Sequence, residues 1–155
     1  MSPNAREHAP NIFPFLRYDD APAALEWIAT AFGFERRLVV PGPDGTVAHA
    51  EMSLGPGVVM LASAKAEDEP RAGRAGRAPG PAGAGSARVG VYVYVADIDA
   101  HFRRARDAGA EIVRELAETD YGSREYSARD PEGHLWSFGT YAPTEGWDAV
   151  PPPPV

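Results

Sequence analysis

Two stretches decide the fold: Asn11–Gly33, NIFPFLRYDDAPAALEWIATAFG, and Val89–Gly109, VGVYVYVADIDAHFRRARDAG. Each begins with an apolar and aromatic run that reads as a strand, Asn11–Tyr18 in the first and Val89–Val95 in the second. Each then presents an aspartate, Asp20 or Asp97, where a side-chain oxygen can cap a helix. In the first, Pro22 falls in the opening turn, where a missing N–H costs little. Leu25, Ile28 and Phe32 come next at helical spacing, as do Ile98, Phe102 and Ala105 in the second. Gly33 and Gly109 stand where a left-handed residue ends a helix. Leu16 to Val93 and Asp20 to Asp97 are both 77 residues apart, and Gly33 to Gly109 is 76. Cap, stripe and stop recur together, so the chain reads as a tandem repeat.

The strand pattern after each helix also repeats. Strands are expected at 35–41, 46–54 and 58–62 in the first half, with a Pro43-Asp44-Gly45 turn and Gly55-Pro56-Gly57 between them. In the second half they are expected at 111–117, 123–129 and 134–140, the last two joined by Asp130-Pro131-Glu132-Gly133. The fold class is therefore α+β: two tandem βαβββ modules forming a cupped mixed sheet around a central cavity, helices outside. We expect a single domain over 11–142, made of module one (11–62), a flexible linker (63–86) and module two (87–142). Residues 1–10 and 143–155 are expected to be flexible termini. The stretch 65–86, KAEDEPRAGRAGRAPGPAGAGS, has almost nothing to bury.

Composition narrows the function classes. The chain has no cysteine, which removes disulfides, thiolate metal sites and a cysteine nucleophile. A formal net charge of -7 argues against nucleic acid, whose phosphates need a positive surface. Arg71, Arg74 and Arg77 do not change that, because an acidic stretch precedes them and no aromatic is interleaved. No apolar run is long enough to span a bilayer, and the first residues lack an apolar leader core. The expectation is a cytoplasmic protein with a small-molecule ligand and neither nucleic acid nor membrane as partner.

The closing segment Tyr121–Tyr141, YGSREYSARDPEGHLWSFGTY, together with the tandem βαβββ layout, resembles the vicinal oxygen chelate superfamily of glyoxalase I, extradiol dioxygenases, and fosfomycin- and bleomycin-resistance proteins. Its sharpest piece, Arg124-Glu125-Tyr126 followed by Asp130-Pro131-Glu132-Gly133, is closest to the bleomycin-resistance and glyoxalase-like branches. The resemblance implies that each module curls into half a cup, that the chain forms a homodimer, and that metal-dependent members carry one ligand on the first and last strand of each module. Here those positions are Phe13, Met60, Gly90 and Ser137. Phe13 and Gly90 are 77 residues apart, and so are Met60 and Ser137, so the two halves agree on register. Divalent ions want imidazole or carboxylate donors at such sites. Two of the four side chains offer no donor, Met60 a weak one and Ser137 a lone hydroxyl, so no cofactor is expected.

Strand alternation names the other inward positions. Phe15 and Arg17 share a face with Phe13, and Tyr92 and Tyr94 with Gly90. His49 and Glu51 lie opposite the apolar Ala50, Met52 and Leu54, while Glu125 and Ser127 share the face of Ser137. The expected ligand-binding set is Phe13, Phe15, Arg17, His49, Glu51, Met60, Tyr92, Tyr94, Glu125 and Ser137. Each has a plainer reading. His49 and Glu51 suit a metal or acid–base pair, or simply a solvated strand face. Arg17 suits an anion, or an ion pair with Glu51 or Glu125. Tyr92 and Tyr94 suit a flat ligand, or are good strand formers. Asp130 reads as a turn former, His134 and His101 as exposed, and Trp136 and Phe138 as core.

These residues favour a metal-independent binding protein that sequesters an organic ligand or antibiotic. The alternative is a metal-dependent lyase, isomerase or dioxygenase with a non-standard site seeded by His49 and Glu51. A third is a cofactorless enzyme with Glu51, Glu125 or His49 as base.

Overall fold

The computed structural model describes residues 12–65 and 89–142. They fall in two compact units. The first unit runs β1 (Phe15–Tyr18), α1 (Ala21–Phe32), β2 (Glu35–Pro41), β3 (Val47–Leu54) and β4 (Gly57–Ser63). The second runs β5 (Gly90–Tyr94), α2 (Ile98–Asp107), β6 (Glu111–Glu118), β7 (Arg124–Arg129) and β8 (Leu135–Gly139). Each unit is thus a βαβββ module. The sheets are ordered β1-β4-β3-β2 and β5-β8-β7-β6, with the first strand parallel to the last and the other pairs antiparallel. A parallel pairing of first and last strands needs a crossover, and in each unit the helix lies within it.

The expected caps form. Asp20 accepts a hydrogen bond from the Ala23 amide at 3.1 Å, and Asp97 from the Ala100 amide at 3.2 Å. Gly33 closes α1 with φ +79°, a left-handed conformation that side-chain-bearing residues rarely adopt. Packing then explains the apolar pattern. Leu25, Ile28 and Phe32 of α1 are buried, as are Tyr18, Ala50, Met52 and Leu61 of the sheet. In the second unit Ile98 and Ala105 of α2 are buried, with Tyr126, Ala128, Trp136 and Phe138. Trp136 and Phe138 are therefore core, as the alternation requires.

Most strand ends fall within one residue of expectation, and two departures have a visible cause. The first strand begins at Phe15 rather than Asn11, because its only strand partner among the described residues is β4, whose register reaches no further back than Phe15↔Met60. The fourth strand includes Ser63, expected in the linker, because Tyr18 pairs with Ser63 and its carbonyl accepts from the Ala64 amide at 2.8 Å. Residues 66–86 of the expected linker, and the expected termini 1–10 and 143–155, lie outside the described residues.

Candidate functional site

In the second unit, pairing across four strands sets one row of side chains: Tyr92 opposite Ser137, Ser137 opposite Ser127, and Ser127 opposite Arg114. One step along, Glu125 pairs with Gly139. The open side of this sheet holds a concavity of about 490 Å³, bordered by Gly90, Tyr92, Arg114, Tyr121, Glu125, Ser137 and Tyr141, with Val91 at its edge. Val91 reaches the rim because β5 is the outer strand of its sheet.

Glu125 is the polar centre of this concavity, although only 5% of it is exposed. Its Oε1 accepts from Arg114 Nη2 at 3.1 Å and from the Tyr121 hydroxyl at 2.8 Å. A buried carboxylate needs such partners, since desolvation disfavours its charge. The Tyr92 hydroxyl donates to the Tyr141 carbonyl at 2.7 Å and accepts from the Tyr141 amide at 3.1 Å. That exchange fixes the tyrosine ring as one wall. Burial, and next the Glu125 charge, push the Tyr92 phenol above its ordinary range. Burial also raises the Tyr121 phenol, followed by its hydrogen bond to Glu125, which favours the protonated donor. Both phenols are therefore neutral donors at neutral pH.

The first unit carries a parallel but more open row, in which Phe15 pairs with Met60, Met60 with Glu51, and Glu51 with Leu38. Glu51 meets His49 Nε2 at 3.0 Å and Arg37 Nε at 3.6 Å. Within this unit Glu51 is therefore ion-paired to Arg37 and hydrogen-bonded to His49 rather than paired to Arg17. The Arg17 guanidinium sits 4.9 Å from the Phe15 ring centre and reaches the Ser63 carbonyl at 3.4 Å. Phe13 is half-buried just before β1.

The inward set is thus gathered unit by unit. Tyr92, Glu125 and Ser137 share the concavity with Gly90, and Phe15, Met60, Glu51 and His49 share one face of the first sheet. Tyr94 is 51% exposed and does not border the concavity. Three bordering residues escaped the sequence reading: Arg114, Tyr121 and Tyr141. Arg114 carried a usable signal, a basic residue in a strand one position after Val113. A register shift between Arg114 and Ala117 breaks the alternation that would have exposed it.

The two histidines expected at the surface are both tied down. Nδ1 of His101 lies 2.6 Å from the Tyr126 hydroxyl, and its ring lies 4.4 Å from that of Phe138. His101 falls three residues after Ile98 and four before Ala105, the buried stripe of α2, and that spacing was the signal. Burial holds the Tyr126 phenol well above its ordinary range. His134 Nδ1 contacts the Asp130 carboxylate at 3.1 Å, with 20% of the side chain exposed.

The positions that would ligate a metal do not suit one. Ser137 spends its hydroxyl on Ser127, 2.8 Å away. A Cβ on Gly90 would meet the Leu135 carbonyl at 3.3 Å, so even a small side chain there crowds the backbone of β8. Phe13 offers no donor and Met60 only a soft thioether. Among the described residues no three His, Asp or Glu side chains cluster as a metal would require.

Residues 11–138 match the family model of the Glyoxalase/Bleomycin resistance protein/Dioxygenase superfamily. The chain belongs to this superfamily. An uncharacterised protein of Mycobacterium tuberculosis (strain H37Rv), Rv0887c, is 36% identical over 130 residues, covering 84% of this chain and 74% of its own. Among solved structures, TioX from Micromonospora sp. ML1 is similar at a TM-score of 0.63 and 33% identity, over 85% of this chain and all of TioX (100%). A fosfomycin resistance protein, FosX from Listeria monocytogenes, solved as a point mutant with Mn(II) and a dihydroxypropylphosphonic acid, has a TM-score of 0.60. It covers 86% of this chain and 91% of its own, at 12% identity, so its likeness is one of superfamily fold.

Proposed function

We propose that this member of the glyoxalase/bleomycin-resistance superfamily is a metal-independent binding protein that sequesters a small organic molecule. The observation that carries the reading is the concavity of the second unit, walled by tyrosines around a buried carboxylate, beside positions whose side chains cannot ligate a metal. Small-molecule sites are concave, largely apolar and furnished with a few fixed polar groups. Tyr92, Tyr121 and Tyr141 supply the apolar walls, and Glu125 and Arg114 the fixed groups. FosX was solved with Mn(II) and a phosphonic acid. In this chain the positions that the family resemblance assigns to metal ligands, Phe13, Met60, Gly90 and Ser137, offer no suitable donor set, so binding energy comes from the organic ligand's own contacts. As part of the same proposal, residues 11–142 act as one domain, and Phe13, Phe15, Arg17, His49, Glu51, Met60 and Tyr94 contribute to ligand binding. The protein is proposed to work as a homodimer in the cytoplasm, to which its cysteine-free sequence is suited.

A thermal-shift screen of organic ring compounds against the full chain, kept in excess EDTA, tests the reading. A ligand at a hundred times its dissociation constant stabilises the folded state by about 2.7 kcal/mol, enough to raise the melting temperature by several degrees. At least one compound class is expected to do so, and Tyr92→Ala is expected to remove most of the shift. Stabilisation that appears only after a divalent ion is added contradicts the proposal.

A further inference from the structure

We infer that the concavity of the second unit selects flat ring ligands carrying an N–H donor, an arylamine or amidine, with Glu125 Oε2 as the acceptor. The inference rests on the proposed binding function and deepens it to a ligand class. An ionised carboxylate has two oxygens and about four acceptor positions. Arg114 and Tyr121 both approach Oε1, and among the described residues no donor reaches Oε2. Glu125 is nonetheless withdrawn from solvent, with 5% exposed, and it borders the concavity. Oε2 is not among the described polar atoms sealed from water without a partner, so its open positions face the concavity, where a ligand donor can take the place of water.

The neighbours do not supply that donor. A Cβ on residue 139 would lie 2.7 Å from the Tyr92 hydroxyl, 2.6 Å from Glu125 Cγ and 3.1 Å from Oε2. Tyr92 and the carboxylate therefore both crowd the same glycine. Yet the Tyr92 proton is spent on the Tyr141 carbonyl, not on Glu125. Gly139, with no Cβ, leaves room beside Oε2, and a donor standing there is favoured. The Tyr92 and Tyr121 rings flank the place, which suits a planar group. An anionic ring is disfavoured by the carboxylate, whose charge already balances that of Arg114 at 3.1 Å.

Benzamidine and benzoate, equal in size and opposite in donor character, are the probes, with toluene as a ring lacking either group. Each is titrated into the full chain by protein-observed NMR. Benzamidine is expected to bind at least about tenfold more tightly than benzoate, the range of one charge-assisted hydrogen bond. Glu125→Gln is expected to erase most of that preference. Gly139→Ala, which keeps the carboxylate but displaces it, is expected to do the same and decides the matter should Glu125→Gln fail to fold. Equal binding of benzamidine and benzoate, with both shifting concavity resonances, overturns the donor inference and leaves the binding function intact. A preference that persists in both folded variants also overturns it. If none of the three rings shifts those resonances, the inference falls together with the pocket it rests on.

Discussion

Replacing Asp130 with alanine is expected to lower stability by about 3 kcal/mol or more, a large share of what a domain of this size possesses. The side chain is fully buried and makes its contacts inward. Oδ1 accepts from the Glu132 and His134 amides, each at 3.0 Å. Oδ2 accepts from Trp136 Nε1 at 3.1 Å. Alanine strands these donors where water is scarce, and each unsatisfied buried donor costs about 1–3 kcal/mol. It also unfastens the turn that brings β7 back as β8, and with it Ser137 and Gly139 beside the concavity. Asp130→Asn keeps an acceptor and is expected to recover part of the loss. Urea unfolding gives the measurement: a midpoint shift worth less than about 1 kcal/mol would mean that water replaces the carboxylate.

Phe32→Ala in the first unit is expected to cost about 3–5 kcal/mol, the usual range for emptying a buried aromatic site. Phe32 is fully buried at the end of α1, and its ring meets that of Trp27 edge-on with centroids 4.8 Å apart. Ile28 and Tyr18, both at 0% exposure, pack in the same core. The cavity left behind has fixed walls, because Gly33 halts the helix immediately beyond and Tyr18 is held by strand pairing. Phe32→Leu refills most of the space and is expected to cost less than half as much. Equal losses for the two variants would show that the aromatic ring contact, not volume, holds the site.

Much of the fold was legible because local signals agreed with one another. Asp20 and Asp97 cap as their positions required, and Gly33 and Gly109 both take positive φ. The 77-residue offset carries the pair Phe15 and Met60 onto the pair Tyr92 and Ser137, and the sheets contain both pairings. A two-residue period and a long repeat leave few other registers. The candidate site was legible only where that period ran unbroken, at Tyr92, Glu125 and Ser137. Arg114 lies beside a bulge, Tyr121 in the loop before β7, and Tyr141 beyond the last strand, so no periodicity pointed at them. His101 shows a different failure. A polar residue in a buried stripe is invisible to an apolar count, and its partner, the Tyr126 hydroxyl, comes from a strand 25 residues away.

Elemental metal content tests the central claim most directly. The full chain is purified without chelator, incubated with Zn²⁺, Ni²⁺, Mn²⁺ or Fe²⁺, freed of excess ion and analysed. The predicted stoichiometry is close to zero for every ion, since Phe13, Met60, Gly90 and Ser137 offer no suitable donor set. Retention of one ion near one per chain would contradict it, and would direct attention to His49 and Glu51 as the seed of a metal site.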